Sequence, residues 1–147
     1  LLKPGGLIVF LCDYSDSIQY KHICEGGGLD FVECLIWETV ECKKKENTHS
    51  LTHKLILVFS SPGRKYHFNK EHDSSVLHHE SKEELWQYLI NVYSQVDSTV
   101  LDPFGAEAIS AMTAKQSQRF CTWIEDSAKL FDEAESKIQK VKFWWQK

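Results

Sequence analysis

The chain has 147 residues, 42% of them hydrophobic and 26% charged, a balance that excludes a disordered segment and fits one globular domain. Seventeen Lys and Arg against 21 Asp and Glu leave a formal charge of -4, so no global positive field draws the chain to nucleic acid or anionic lipid. Any nucleic-acid contact has to use a local patch. The longest apolar run, Leu7 to Cys12, is far short of the roughly 20 residues that span a bilayer. No basic-then-apolar signal precedes it, and the expectation is a chain neither membrane-spanning nor visibly secreted. Five cysteines (Cys12, Cys24, Cys34, Cys42, Cys121) form an odd set without a CxxC pair, which points to a reducing, intracellular compartment. The chain begins at Leu1, inside a turn signal, and its only Met is Met112, so it reads as a piece of a longer protein.

Lys3-Pro4-Gly5-Gly6 is a turn, and the apolar run LIVFLC from Leu7 to Cys12 predicts a strand buried on both faces, a central parallel one. Asp13 to Glu25 carries Tyr14, Ile18, His22 and Ile23 at roughly helical spacing, with Asp13 or Ser15 as N-cap and Gly26-Gly27-Gly28 as terminator. Phe31 to Glu41 and Lys54 to Ser60 predict an antiparallel strand pair around a solvated loop, Lys43 to Ser50. Residues 61 to 81, with Pro62, Gly63 and four histidines, read as an irregular loop. From Ser81 a helix follows, with a Ser cap, an acidic first turn and Leu85, Leu89, Val92 and Tyr93 on one face. Thr99 to Leu101 is a short strand, Ala106 to Ala114 a helix, Arg119 to Ile124 a strand, and Ser127 to Val141 a helix with Phe131, Ala134, Ile138 and Val141 inward. The chain closes on Phe143, Trp144 and Trp145.

Strands alternating with helices predict an α/β sheet, and residues 99 to 141 form a β-loop-α-β-α unit of the nucleotide-binding type. Asp102 ends the first strand, Gly105, Ala106 and Ala108 make a small-residue turn into a helix, and Glu125 stands about 20 positions on. Small residues let backbone N–H groups approach a ligand at a helix N-terminus, and an acidic side chain past the second strand accepts from ribose hydroxyls. On spacing alone, the same features also describe an ordinary strand-to-helix turn, with Glu125 in the first turn of the next helix.

The order of segments resembles a specific family, the amino-group DNA methyltransferases of permuted motif order that act on N-4 of cytosine or N-6 of adenine. "LLKPGGLIVFLCD" is similar to the strand after that family's catalytic motif, and "DFVECLIWETV" with "LTHKLILVFSSPGR" to its strand pair. "HHESKEELWQYLINVYSQVDSTVLDPFG" resembles the lead-in helix and the cofactor motif, and "RFCTWIEDSAKLFDEAESKI" the ribose-contact strand and helix. The resemblance implies a Rossmann-like, mostly parallel sheet with one antiparallel strand pair, incomplete in this chain, and a single partial methyltransferase domain over residues 1–147. It further implies S-adenosylmethionine as cofactor and DNA as partner. Asp102, Pro103, Phe104 and Gly105 would line the cofactor pocket, Glu125 would hold the ribose, and Lys82, with His78 or His79 before it, would pass near the methionine end.

The chain departs from the family pattern at three places. The glycine positions of the family's Phe-x-Gly-x-Gly loop are Ala106 and Ala108, and its Lys-Pro is Lys82-Glu83. No Asp-Pro-Pro-aromatic motif, which in the family stacks on an extruded base, occurs here, so no catalytic residue is assigned. The resemblance sets the strand carrying that motif between Thr99–Leu101 and Leu7–Leu11. The remaining features have structural readings: His67, His72, His78 and His79 as loop histidines without finger-like spacing, Cys12 and Cys121 as small buried hydrophobes, and Lys43 to Lys45 as a solvated turn. Two functions follow, the C-terminal part of a DNA amino methyltransferase or a catalytically dead methyltransferase-like scaffold that binds partners.

Overall fold

A computed structural model describes residues 2–63 except 44–48, then 65, 66, 69 and 74–142, with the backbone alone for 40–43. The chain divides into two compact units, Leu1–His67 with Glu71–Glu80, and Phe68–Lys70 with Ser81–Lys147. Most of the loop Lys43 to Ser50, the side chains of the Lys43 to Lys45 run, His67, His72 and the closing Phe143, Trp144 and Trp145 lie outside the described residues.

The first unit holds β1 (Leu7–Cys12), α1 (Tyr14–Gly26), β2 (Asp30–Lys43), β3 (Leu51–Ser60) and β4 (Val76–Leu77). The strands lie in the order β1-β3-β2-β4, with β3 antiparallel to both of its neighbours and β4 parallel to β2. Leu7 faces Ser60 and Cys12 faces Leu55 across the β1–β3 ladder, while Leu35 faces Ile56 across β2–β3. The strand with apolar residues on both faces is β3, where Ile56, Val58 and Phe59 are 0% exposed. Its run of β-branched and aromatic residues suits a position between two strands. One face carries Leu57 and Phe59 and meets α1 in a cluster with Cys12 and Cys24, ringed by Phe10, Tyr20, Leu29 and Leu55. Removing a side chain of this size from water contributes roughly 1.5–3 kcal/mol.

Two expectations for this unit are corrected. The run from Leu7 to Cys12 is a strand, but it is antiparallel to β3 and, among the described residues, paired on that side alone. The helix after it turns a different face inward than its apolar letters suggest. Ser17 and Cys24 are the buried positions, with Tyr20 against them, while Tyr14, Ile18 and Ile23 stand 61–65% exposed. At about 100° per residue, Tyr14 and Ile23 project from opposite sides of a helix and form no single stripe. The antiparallel pair, by contrast, stands as expected. The loop of residues 61 to 81 contains one short strand that the sequence reading lacks, with Val76 and Leu77 beside Ile36 and Trp37. Trp37 Nε1 donates to the carbonyl of His79 at 2.9 Å, and His78 Nδ1 lies 2.8 Å from Glu38.

The second unit holds α2 (Lys82–Tyr93), β5 (Thr99–Asp102), α3 (Ile109–Gln116), β6 (Phe120–Trp123) and α4 (Ala128–Lys140). The start of α2 is as the sequence predicts, with Ser81 Oγ accepting from Glu84 N at 3.2 Å and Leu85, Leu89, Val92 and Tyr93 all buried. Its end is closed from outside the helix. Asn69 donates its backbone N–H to Val92 O at 3.1 Å and its side-chain amide to Asn91 O and Ser94 O. Arg119 donates Nη2 to Ser94 O at 2.7 Å and Nε to Ser94 Oγ at 3.1 Å. These bonds satisfy carbonyls that a helix end leaves without intrahelical partners. β5 and β6 run parallel, Thr99 beside Phe120 and Asp102 beside Trp123. Thr99 and Leu101 are exposed, so β5 is covered on one face in this incomplete sheet. Among the described residues it pairs on one side, with β6.

Candidate functional site

The C-terminal ends of β5 and β6 bring the predicted residues Asp102 to Gly105 and Glu125 to one edge. Pairing continues past the strands, since Ile124 N donates to Asp102 O at 2.9 Å and Gly105 N donates to Ile124 O at 3.0 Å. Lys82 is the first residue of α2. The helix expected from Ala106 starts at Ile109, and Ala106 to Ala108 belong to the turn. Ala108 is 0% exposed and adopts φ 56° and ψ 24°, a left-handed conformation that costs an L-residue roughly 1–2 kcal/mol. A glycine would adopt it without that cost, and here a methyl group stands instead.

The polar groups of this edge are turned on the chain itself. Asp102 Oδ1 accepts from Phe104 N at 3.1 Å, and Oδ2 accepts from the hydroxyl of the buried Ser110. The carboxylate therefore ties β5 to the first turn of α3. Glu125 Oε1 accepts from Ser127 N at 2.9 Å, just before Ser127 Oγ caps α4. Phe104, at the tip of the turn, is 87% exposed and Pro103 is exposed beside it.

Gly105 is buried, and the reason for its missing side chain is visible. A Cβ built there would lie 1.7 Å from Cδ1 and 1.8 Å from Nε1 of Trp123. The indole fills the concave side of the turn and stacks on Phe131 of α4, with ring centroids 4.9 Å apart at 23°. It packs with Cys121 and Ile138 on a cluster of the small residues Ala108, Ala111 and Ala134. Its Nε1 is buried and has no hydrogen-bond partner among the described residues. Burial, with Asp102 adding to it, pushes the Cys121 thiol up to about 11, so it stands as a neutral packing group.

An adenosine group needs open backbone donors and a carboxylate aimed outward. This edge offers the carboxylate of Glu125 at the right strand end. Against it stand three internal uses: the indole against Gly105, both oxygens of Asp102, and one oxygen of Glu125. On the Gly105 side the indole occupies the space a nucleoside would take, and the missing side chain at Gly105 is accounted for by that indole. Trp123 and Ser110 were absent from the sequence reading. The alternation in FCTW, which sets Trp123 on the same side of β6 as Cys121, was the available signal.

No family profile and no curated protein matches the chain. Solved structures do. The complex of M1.HpyAVI with SAM has a TM-score of 0.81 at 20% identity, over 92% of this chain and 74% of that one. TTHA0409 of Thermus thermophilus, assigned as a DNA modification methylase, has 0.82 at 17% identity, over 96% and 73%. The cytosine-N4-specific PvuII DNA methyltransferase has 0.69 at 12% identity, over 96% and 72%. The chain thus has the α/β fold of DNA methyltransferases, as the order of its segments implied, and spans about three quarters of their length.

Proposed function

We propose that residues 1–147 are part of one methyltransferase domain that transfers a methyl group from S-adenosylmethionine to the exocyclic amino group of adenine or cytosine in DNA. The single observation that carries this reading is the edge where Asp102 and Glu125 stand at adjoining ends of two paired parallel strands, in a fold shared with M1.HpyAVI and PvuII methyltransferase. The TTHA0409 and M1.HpyAVI structures with S-adenosylmethionine support the choice of cofactor. Pro103 and Phe104 would line the pocket, Glu125 would accept from the ribose after releasing Ser127 N, and Lys82 would lie toward the methionine end. The sequence carries no Asp-Pro-Pro-aromatic motif to hold an exocyclic amine and stack on a base, so on this reading the transfer step uses groups from other parts of the protein.

A second reading is a methyltransferase-like scaffold without turnover, favoured by the internal use of both Asp102 oxygens and by Ala108 in a left-handed turn position. Labelled-methyl transfer to mixed-sequence DNA separates the two. The natural full-length protein is expected to yield N6-methyladenine or N4-methylcytosine, and the 147-residue chain alone to yield neither. Full-length protein that binds DNA but leaves it unmethylated would establish the scaffold.

A further inference from the structure

We propose that Trp123 is the closing residue of the β5–α3 turn, a side chain that has to leave its place on Gly105 before an adenine nucleoside can bind. The proposal rests on the cofactor reading above and names what decides binding at that edge. The indole stands where even a methyl group on Gly105 would overlap it, with 1.7 and 1.8 Å to the nearest ring atoms. The turn can therefore admit a ligand on this side only in exchange for the indole. Among the described residues no hydrogen bond holds the ring there, since its N–H is buried and finds no acceptor. It is kept by stacking on Phe131 and by packing on Ala108, Ala111 and Ala134, none of which is directional. A buried donor without an acceptor favours any arrangement that gives it one. When the ring swings out, the N–H reaches water or an acceptor on the ligand, and the turn's backbone is uncovered together.

The test is calorimetric titration of S-adenosylhomocysteine into the full-length protein, as wild type, Trp123→Leu and Trp123→Gly, with circular dichroism melts to show that each variant is folded. Leu keeps an apolar group on the alanine cluster if Gly proves too small to fold. Wild type is expected to bind at about millimolar or weaker, and a folded variant at least tenfold tighter. In a heteronuclear spectrum the Trp123 indole N–H, assigned by its absence in Trp123→Leu, should shift on saturation of the wild type. Equal affinity in wild type and folded variants, or no gain in any of them, overturns the proposal. The cofactor reading fails separately. If the full-length protein methylates DNA with the same KM for S-adenosylmethionine in wild type and Trp123→Leu, the closing role falls while the function stands. If Trp123→Leu gains affinity but full-length protein never methylates, the function falls and the closing role stands.

Discussion

In the first unit the middle strand is covered on both faces along Ile56 to Ser60, whereas in the second β5 and β6 alternate between exposed and half-buried residues from end to end. Large side chains fill the one core: Phe59, Leu57, Leu35 and Ile56. At the strand ends of the second unit, apart from the buried Leu85, Leu89 and Val92 of α2, the packing around Trp123 is made of small ones, Ala108, Ala111, Ala134 and Gly105, which bring backbone against a single indole. A core of large side chains loses stability when it is emptied, and a core of small ones when it is filled. The contrast also assigns work: the first unit is built to hold, the second has its strand ends committed to one exchangeable contact.

The largest effect should come from emptying the first core. Phe59→Ala is expected to cost about 3–5 kcal/mol in urea unfolding, while Phe120→Ala, at a site 65% exposed on β6, stays within about 0.5 kcal/mol. Similar losses from the two would dissolve the contrast. Filling the second core comes next. Gly105→Ala should destabilise by about 1–3 kcal/mol because its methyl group meets a packed ring, and Gly26→Ala, at the end of α1 with nothing within 4 Å, should stabilise by about 0.4–1 kcal/mol. Removing the cap of α2 by Ser81→Ala is expected to cost about 1 kcal/mol, and α1 has no such side-chain cap bond to lose.

A pH series sharpens what the units share. Burial pushes Cys12 in the first unit up to about 11, helped by the nearby Cys34, Asp16 and Asp13, and does the same to Cys121 in the second, helped by Asp102. In the unfolded chain these thiols ionise near 9.0, so the stabilisation is complete below that pH and is lost as pH rises through about 11. The urea midpoint should fall over that window, less steeply in Cys121→Ala. The smallest effect is reserved for Ile18→Lys, expected to change stability by less than about 0.5 kcal/mol because the side chain is 61% exposed. A larger loss would return α1 to the face its sequence suggested.

What could be read in advance divides along physical lines. α2 was legible because the Ser81 cap, the acidic first turn and the 85-89-92-93 stripe all agree, each acting within a few residues. The strand pair was legible for the same reason, from composition and alternation. α1 was legible as a helix but not in its facing, because Tyr14, Ile18 and Ile23 do not share a side and the inward groups, Ser17 and Cys24, are small. The direction of β1 was missed because an apolar run is the same in a parallel and an antiparallel ladder. At the site, the edge that joins Asp102 to Glu125 was foreseen from spacing. The indole on Gly105 was not, since it depends on a rotamer and on a register partner that no local pattern encodes.

The strand order of the first unit has a consequence for how the chain is made. β3 leaves the ribosome after β1 and β2 but is the strand on which both rest, and across the β1–β3 ladder Leu7 finds its partner only at Ser60. β2 can zip to β3 as soon as β3 emerges, being its neighbour in sequence, while β1 and α1, made earlier, wait with Leu57 and Phe59, the residues they pack on, still untranslated. Contacts of such long sequence separation form late and slowly. Throughout that interval the nascent β1 is an apolar segment without its β3 partner, and holdase chaperones that grip short apolar stretches would find their site at Leu7–Cys12 until Ser60 has cleared the exit tunnel.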